Sequence, residues 1–370
     1  MPDMNLSQKQ ENKKQNLRGL PVSELTPLVT GAGEPPYRAV QLFKWIHCRG
    51  ALTFDEMSDL PKRFRVMAAS TWDISTLTVS ETRSSSDGTI KYRLGTTSGD
   101  FIEAVYMPSD KRNTLCVSTQ VGCAMGCDFC LTGKMGLIRN LTAAEIIDQI
   151  RAISADLRVR MGHGGKDSEP PRPPSRGYIS NVVFMGMGEP LHNFNETRRA
   201  VEILTDPEAF GFSTRHVTVS TCGLIPEIKK FGELVTAKLA ISLNATDDET
   251  RSRIMPVNRK YPLAELMAAM RSYPLKPAWR ITFEYVLLGG LNDSEADARR
   301  LARLISGLPA KVNLIVYNPH PASNYSAPAA GAVERFHAIL IEKHVTVFIR
   351  ESRGNDIAAA CGQLGGTAQQ

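Results

Sequence analysis

The stretch Gly122-Cys123-Ala-Met-Gly-Cys127-Asp-Phe-Cys130 gathers three of the chain's seven cysteines on one short loop. Its C-x3-C-x2-C spacing is that of a metal-holding loop. A structural zinc site draws four ligands, commonly from paired C-x2-C units or added histidines. This loop offers three. Three thiolates on a [4Fe–4S] cluster leave one iron open to a small molecule, whereas four-cysteine sites close every iron. The spacing points to a [4Fe–4S] cluster on Cys123, Cys127 and Cys130, with structural zinc as the alternative. Gly122 and Gly126 suit the loop's sharp turns.

Around this loop, short β-branched runs alternate with amphipathic stretches. Strands are expected at 114–119, 179–186, 216–221, 237–243, 280–288 and 312–317, with a further run at 345–350. One helix starts at Thr142, whose Thr-x-x-Glu with Glu145 is a capping box. Another follows Asp293 with Leu301, Leu304 and Ile305 on one face, and a third carries Val333, Phe336 and Leu340. Six β–α units in series imply a parallel sheet. The expected fold class is α/β, an incomplete (β/α)6 barrel over residues 113–366, with a tail at 367–370.

Ahead of the barrel, residues 1–19 are polar and read as a disordered tail. Residues 20–75 read as a small helical domain. In YRAVQLFKWIH, Ala39, Leu42, Phe43 and Ile46 recur at i, i+3, i+4, i+7, and a second helix fits 53–70. Residues 76–112 alternate over TLTVSETR, TIKYRLG and DFIEAVYM with Asp87-Gly88 and Gly99-Asp100 between, a small antiparallel sheet. The Pro/Gly/Arg-rich segment 156–178 reads as a surface loop.

The net charge is +6, and basic residues cluster at Lys62/Arg63/Arg65, Arg158/Arg160, Arg198/Arg199, Lys229/Lys230 and Arg251/Arg253/Arg259/Lys260. Each cluster alone is what a solvated helix face looks like; together they permit an anionic partner such as RNA. An odd cysteine count in a long chain does not suit a secreted disulfide scaffold. No apolar run reaches the roughly 20 residues of a membrane helix, and the opening residues lack the apolar core of a secretory leader. A cytoplasmic protein with no membrane partner is expected.

These motifs, in this order, resemble the radical S-adenosylmethionine superfamily. Phe129 matches the aromatic position that touches the cofactor's adenine there, and Met185-Gly-Met-Gly-Glu-Pro190 resembles its Gly-Gly-Glu-Pro motif. Within that superfamily the chain is similar, from about residue 30 to 366, to the RlmN/Cfr family of adenosine methyltransferases. The carrying segments are 117–142, VVFMGMGEPLHN (182–193), HVTVSTCG (216–223), ISLNATDDETRSRIMPVNRKYPL (241–263), LLGGLNDS (287–294) and RESRGNDIAAACGQL (350–364). The resemblance implies S-adenosylmethionine contacts at Phe129, Gly188, Glu189, Ser220, Ser242, Leu243, Asn244 and Asn318. It also implies a methyl-carrying Cys361, a disulfide-forming partner Cys116 and a proton acceptor Glu103. By position alone Cys361 and Cys116 read as lone buried thiols like Cys48 and Cys222, and Glu103 as a solvent-facing strand residue. Asn244 stands where the family often has His, and Cys222 where it more often has Ser.

The implied activity is methylation of adenine C2 in 23S ribosomal RNA and some transfer RNAs. Cys361 is first methylated by displacement on its thiolate; a 5′-deoxyadenosyl radical then takes hydrogen from that methyl, and the carbon radical adds to adenine. Glu103 removes the ring proton, and attack by Cys116 on Cys361 frees the RNA. The resemblance further implies a helical domain that binds RNA, an electron donor such as flavodoxin, and a monomer. Adenine C8 methylation shares these catalytic residues, and a non-catalytic iron–sulfur or zinc RNA-binding module remains the reading of a different class.

Overall fold

A computed structural model of the chain describes residues 14–162 and 178–365. Pro21, Pro36 and Pro61 stand immediately ahead of three N-terminal helices, α1 (Val22–Gly31), α2 (Tyr37–His47) and α3 (Lys62–Thr71). Proline fits there because the N–H groups of a first turn have no intrahelical partner to lose. On α2 the series Ala39, Leu42, Phe43 and Ile46 is fully buried, as its spacing requires. The helix expected over 53–70 instead splits into a 3-10 turn at Phe54–Glu56 and α3, because Pro61 disfavours helical backbone at the residue before it.

The expected tail is shorter than 1–19. β1 (Gln15–Asn16) pairs in parallel with β2 (Trp72–Asp73), and Leu17 and Arg18 are buried. The Arg18 guanidinium donates to Ile46 O, Ala51 O and Ile74 O, which ties the start of the chain into the helical unit. Residues 1–13, and the tail expected at 367–370, lie outside the described residues.

β3 (Thr78–Ser84), β4 (Ile90–Gly95) and β5 (Phe101–Met107) form the expected antiparallel meander. It is not a separate sheet. β5 pairs antiparallel with β6 (Thr114–Cys116), where the barrel begins. The strand expected over 114–119 ends at Cys116; the chain then leaves the sheet for a two-stranded ribbon, β7 (Gln120–Cys123) with β8 (Gly136–Asn140). Between these lies the cysteine loop and the short helix α4 (Leu131–Lys134). Helix α5 (Ala143–Arg160) starts with both capping-box bonds between Thr142 and Glu145. It covers 156–160, which the sequence suggested as loop; residues 163–177 lie outside the described residues.

The remaining strands and helices alternate: β9 (Asn181–Phe184), α6 (Phe194–Thr205), β10 (Val217–Thr221), α7 (Ile225–Leu234), β11 (Lys238–Ser242), α8 (Asp248–Ile254), α9 (Leu263–Arg271), β12 (Ile281–Leu287), α10 (Glu295–Leu304), β13 (Ala310–Val316), α11 (Ala330–Glu342) and β14 (Val347–Arg350). In the main sheet β6 and β9 through β14 pair in parallel, and the whole sheet runs β14-β13-β12-β11-β10-β9-β6-β5-β4-β3. This is the expected partial (β/α)6 barrel, extended by β14 at one edge and by the meander at the other. Among the described residues no helix is long and apolar enough to cross a membrane.

After β14 the chain turns back across the opening to the meander. Gly354 N donates to Asp87 Oδ2 (3.0 Å), Ser85 Oγ to Asp356 Oδ1 (2.6 Å), and Lys91 Nζ to Ala358 O (3.1 Å). This C-terminal segment thus connects the two edges of the sheet and carries Cys361 between them.

Candidate active site

The cysteine loop is shaped by glycine. Gly122 has φ +75°, and a Cβ there would lie 1.9 Å from Gly136 O on the opposing ribbon strand, so no side chain fits. Cys123 ends β7 and Cys130 precedes α4. Burial pushes the Cys123 thiol up to about 12 and the Cys127 thiol well above its ordinary 9. The charge of the neighbouring thiols pushes both the same way. Three thiols so close together, one buried and two half-buried, ionise together only with a cation among them, which is the charge a metal cluster brings. Among the described residues no three His, Cys, Asp or Glu side chains are drawn together as ligands of one metal ion. A cluster asks something else, one thiolate at each of three separate irons, and the donor set fits that group.

The residues implied as cofactor contacts divide into two groups. Gly188 (φ +98°) follows β9, and a Cβ there would meet Gln120 Cβ at 2.5 Å. Glu189 is buried beside the loop; its carboxylate accepts from Leu191 N (3.0 Å) and Cys222 N (2.8 Å), while burial raises its pKa. Ser220 and Ser242, at the ends of β10 and β11, face each other at 3.5 Å. Asn318, after β13, lines the central cavity. These follow the C-terminal ends of strands, where barrel enzymes keep their sites.

Leu243 and Asn244 differ. Leu243 is fully buried; its N–H donates to Glu284 O and its carbonyl accepts from Arg251 Nε. Asn244 sits at φ +58° with Oδ1 accepting from Val286 N and Nδ2 directed at Met255 Sδ. Both are held in the protein's own bonding, so neither presents a free side-chain group to a ligand. Phe129 packs in a small apolar cluster with Met255, Leu288 and Tyr317, and its carbonyl meets His320 Nε2 at 3.1 Å.

The residue that composition misplaced is Arg251, part of a run that read as a basic surface patch. It is fully buried. Its guanidinium donates to Leu243 O (2.9 Å), Asn258 Oδ1 (2.9 Å), Cys222 O (2.7 Å) and Ser242 O (3.2 Å), joining the ends of β10 and β11 behind the cysteine loop. The signal available was its place inside ISLNATDDETRSRIMPVN rather than its charge.

Cys116 and Cys361, far apart in sequence, open onto one cavity of about 600 Å3, together with Cys130, Thr132 and Asn318. Both are free thiols. Burial raises the Cys116 pKa, and the nearby Cys361 raises it further. Cys361 is open to the cavity, yet the surrounding walls withhold enough water to push its thiol up to about 11, with Glu284 and Cys130 adding to the effect. The C-terminal segment lies directly on the cysteine loop: Leu131 N donates to Gly362 O (2.8 Å) and Thr132 Oγ1 to Leu364 O (2.6 Å).

Glu103 lies on the same sheet face. Val105 pairs with Cys116, and side chains two residues apart on a strand share a face. Its carboxylate is buried rather than solvent-facing, 3.1 Å from Lys91 Nζ and accepting from Gly365 N at 2.8 Å. It therefore sits beneath the C-terminal segment, while Cys116 and Cys361 line the open cavity. Lys91, which no sequence motif marked, bridges Glu103 and Ala358 O.

Comparison with known proteins bears on the family. The chain is 51% identical over 349 residues (94% of this chain, 91% of the relative) to the dual-specificity RNA methyltransferase RlmN of Anaeromyxobacter dehalogenans, and 49% identical over 351 residues (95% and 92%) to that of Geobacter sulfurreducens. The chain belongs to the RlmN family. The profile of the ribosomal RNA large subunit methyltransferase N-terminal domain matches residues 15–74, and that of the radical SAM superfamily matches 175–302. The first begins where β1 begins. A radical SAM methyltransferase from Sphaerobacter thermophilus is 43% identical and superposes with a TM-score of 0.84 over 95% of this chain and 99% of its own. The RlmN-family chain thus has a helical N-terminal domain and a radical SAM α/β barrel.

Proposed function

We propose that this chain methylates adenine C2 in 23S ribosomal RNA and in transfer RNA, with Cys361 as methyl carrier. The observation that carries the reading is the meeting of Cys116 and Cys361 in one cavity beside Cys130. Dual-specificity RlmN relatives supply the substrate class. Cys123, Cys127 and Cys130 would hold a [4Fe–4S] cluster, and Gly188, Glu189, Ser220, Ser242 and Asn318 would line the S-adenosylmethionine site. When bound, that pair supplies the methyl group and the radical chemistry that an electron-poor ring carbon requires. An electron donor such as flavodoxin would feed it, and the chain would act as a monomer.

The chain's own residues do the rest. The Cys361 thiolate accepts a methyl group and presents it to the cavity. Glu103 takes the C2 proton of the RNA adduct once the C-terminal segment moves off its carboxylate. The Cys116 thiolate then attacks the Cys361 sulfur. The S–S bond forms as the bond from Cys361 sulfur to the RNA-linked carbon breaks, and that carbon keeps the electron pair and takes a proton to become the methyl group. The N-terminal helical domain would contribute RNA contacts.

The test is Cys361→Ala, reconstituted anaerobically with reductant and cofactor. Nucleoside mass analysis should show 2-methyladenosine with the natural chain and none with the variant. Methylation by the variant overturns the carrier role, 8-methyladenosine as sole product overturns the regiochemistry, and failure of the natural chain to release 5′-deoxyadenosine favours a binding module.

A further inference from the structure

Several of the basic residues conspicuous in the sequence are paired or buried in the fold. Arg63 pairs with Glu34, Arg160 with Asp156, Arg198 with Glu202, and Arg199 with Glu24 and Glu196, while Arg251 is buried. The topology assembles a different set from residues isolated in sequence. Arg112 precedes β6, Arg215 precedes β10, Lys238 opens β11, Lys311 is the second residue of β13, Arg350 closes β14, and Arg353 follows it. All six line the cavity that holds Cys116 and Cys361. Four of them stand at the N-terminal ends of strands, the end opposite Glu189, Ser220 and Asn318.

Among the described residues none of the six makes an ion pair. Against them the same wall carries two carboxylates. One, Glu284, is buried, raised in pKa by that burial, and accepts from Asn313 Nδ2 at 2.7 Å; the other is Glu351. The cations are close enough to repel. Burial lowers the Lys238 pKa, and Arg112 and Arg215 lower it further. Burial likewise lowers Lys311, with Arg350, Lys238 and Arg112 adding to it and Glu284 opposing. Six cations facing two carboxylates leave the wall with an excess of positive charge, and an anionic ligand with several charges along its length relieves it.

Geometry selects the ligand. A base buried in an RNA chain reaches an enzyme's reacting group only if its nucleotide is turned into the cavity, leaving the flanking phosphates at the rim. Cys130 and Asn318 mark the cofactor end of this cavity, so the four cations at the strand starts form the end left for the RNA. We infer that Arg112, Arg215, Lys238 and Lys311, with Arg350 and Arg353 at the outer edge, form the phosphate-binding rim through which the substrate RNA strand delivers its adenosine to Cys361. This rests on the reading of the chain as an RNA methyltransferase.

The experiment measures binding of a fluorescent RNA hairpin with an unpaired adenosine, as a function of salt. Each phosphate contact contributes roughly 0.7–0.9 to the slope of log affinity against log salt concentration. Lys238→Met with Lys311→Met should lower the slope by about 1.5 and weaken binding at low salt about tenfold or more. Lys238→Arg with Lys311→Arg should restore both, and circular dichroism of each variant reports whether it is folded. The same charge loss at Lys343, paired with Glu342 on the outer helix α11, should leave the slope unchanged. An unaltered slope in the folded Met variant, or an equal drop from Lys343→Met, overturns the rim while the RNA reading stands. A natural chain that binds no RNA overturns both.

Discussion

Arg251→Met should cost this protein about 3–5 kcal/mol, and the figure follows from what the guanidinium leaves behind. Four acceptors, Leu243 O, Ser242 O, Cys222 O and Asn258 Oδ1, take their hydrogen bonds from it in a fully buried position. An acceptor stranded without water or donor costs about 1–3 kcal/mol. Relief from burying a cation offsets part of that total, since no carboxylate pairs with Arg251 directly. Methionine keeps much of the volume, so the loss measured is mainly polar. Urea unfolding followed by tryptophan fluorescence should show the midpoint fall by about 1 M, given a slope of a few kcal/mol per molar for a chain of this size. Arg251→Lys should recover only part, because one ammonium cannot serve acceptors spread over the ends of two strands and the turn beyond α8. Cluster loading, read from the visible absorbance of the reconstituted protein, should fall in parallel, since the same strand ends stand behind Cys127. A loss under about 1 kcal/mol, or full recovery with lysine, would refute the claim that this arginine builds the site.

Two further outcomes are expected. Gly188→Ala puts a Cβ 2.5 Å from Gln120 Cβ at φ +98°, so titration calorimetry should show S-adenosylmethionine binding weakened at least tenfold while the N-terminal domain stays folded; unchanged affinity would remove this turn from the cofactor site. His47 is buried with neither ring nitrogen hydrogen-bonded, and burial together with Arg18 holds its pKa well below the ordinary 6.5. The unfolded chain takes up a proton there near pH 6.5 and the folded chain does not, so stability falls as the pH drops below that value. Between pH 7.5 and 5.5 the natural chain should lose about 1.4 kcal/mol more than His47→Leu in urea titrations. An equal loss in the two would place the dependence elsewhere.

The barrel was readable because its strands are short β-branched runs and its helices carry explicit starts, as at Thr142. The glycine turns of the cysteine loop were readable because spacing is a local property. What escaped was set by partners distant in sequence. Residues 15–19 look like a polar tail until Trp72 and Ile74 are beside them, and the meander looks self-contained until β5 meets β6. Arg251 illustrates the same point on one residue, since a basic side chain shows its charge in the sequence and its burial only in the fold. Leu243 and Asn244 were reached through resemblance to a motif, and that motif also contains the residues that hold the turn together. Conversely Lys238 and Lys311 each look unremarkable in a strand, and only the parallel register puts them on one wall.

The placement of Cys361 shows why such a site must be a property of the whole sheet. Its segment is held at one end by β14, through which it leaves the sheet, and at the other by Asp87, Lys91 and Glu103 on the meander. Between these it rests on Leu131 and Thr132, next to Cys130. Apart from β14 itself, no single contact fixes the thiol, since each is one hydrogen bond worth about 1–3 kcal/mol. Together they hold it near Cys116 while remaining individually weak enough to release. The proposed chemistry asks for that combination, because in it Cys361 would receive a methyl group, carry RNA and then meet Cys116, while Glu103 accepts from Gly365 N as long as the segment is down. The meander that extends the barrel sheet is therefore part of the site: it supplies Glu103 and Lys91, and it gives the C-terminal segment an edge to close against.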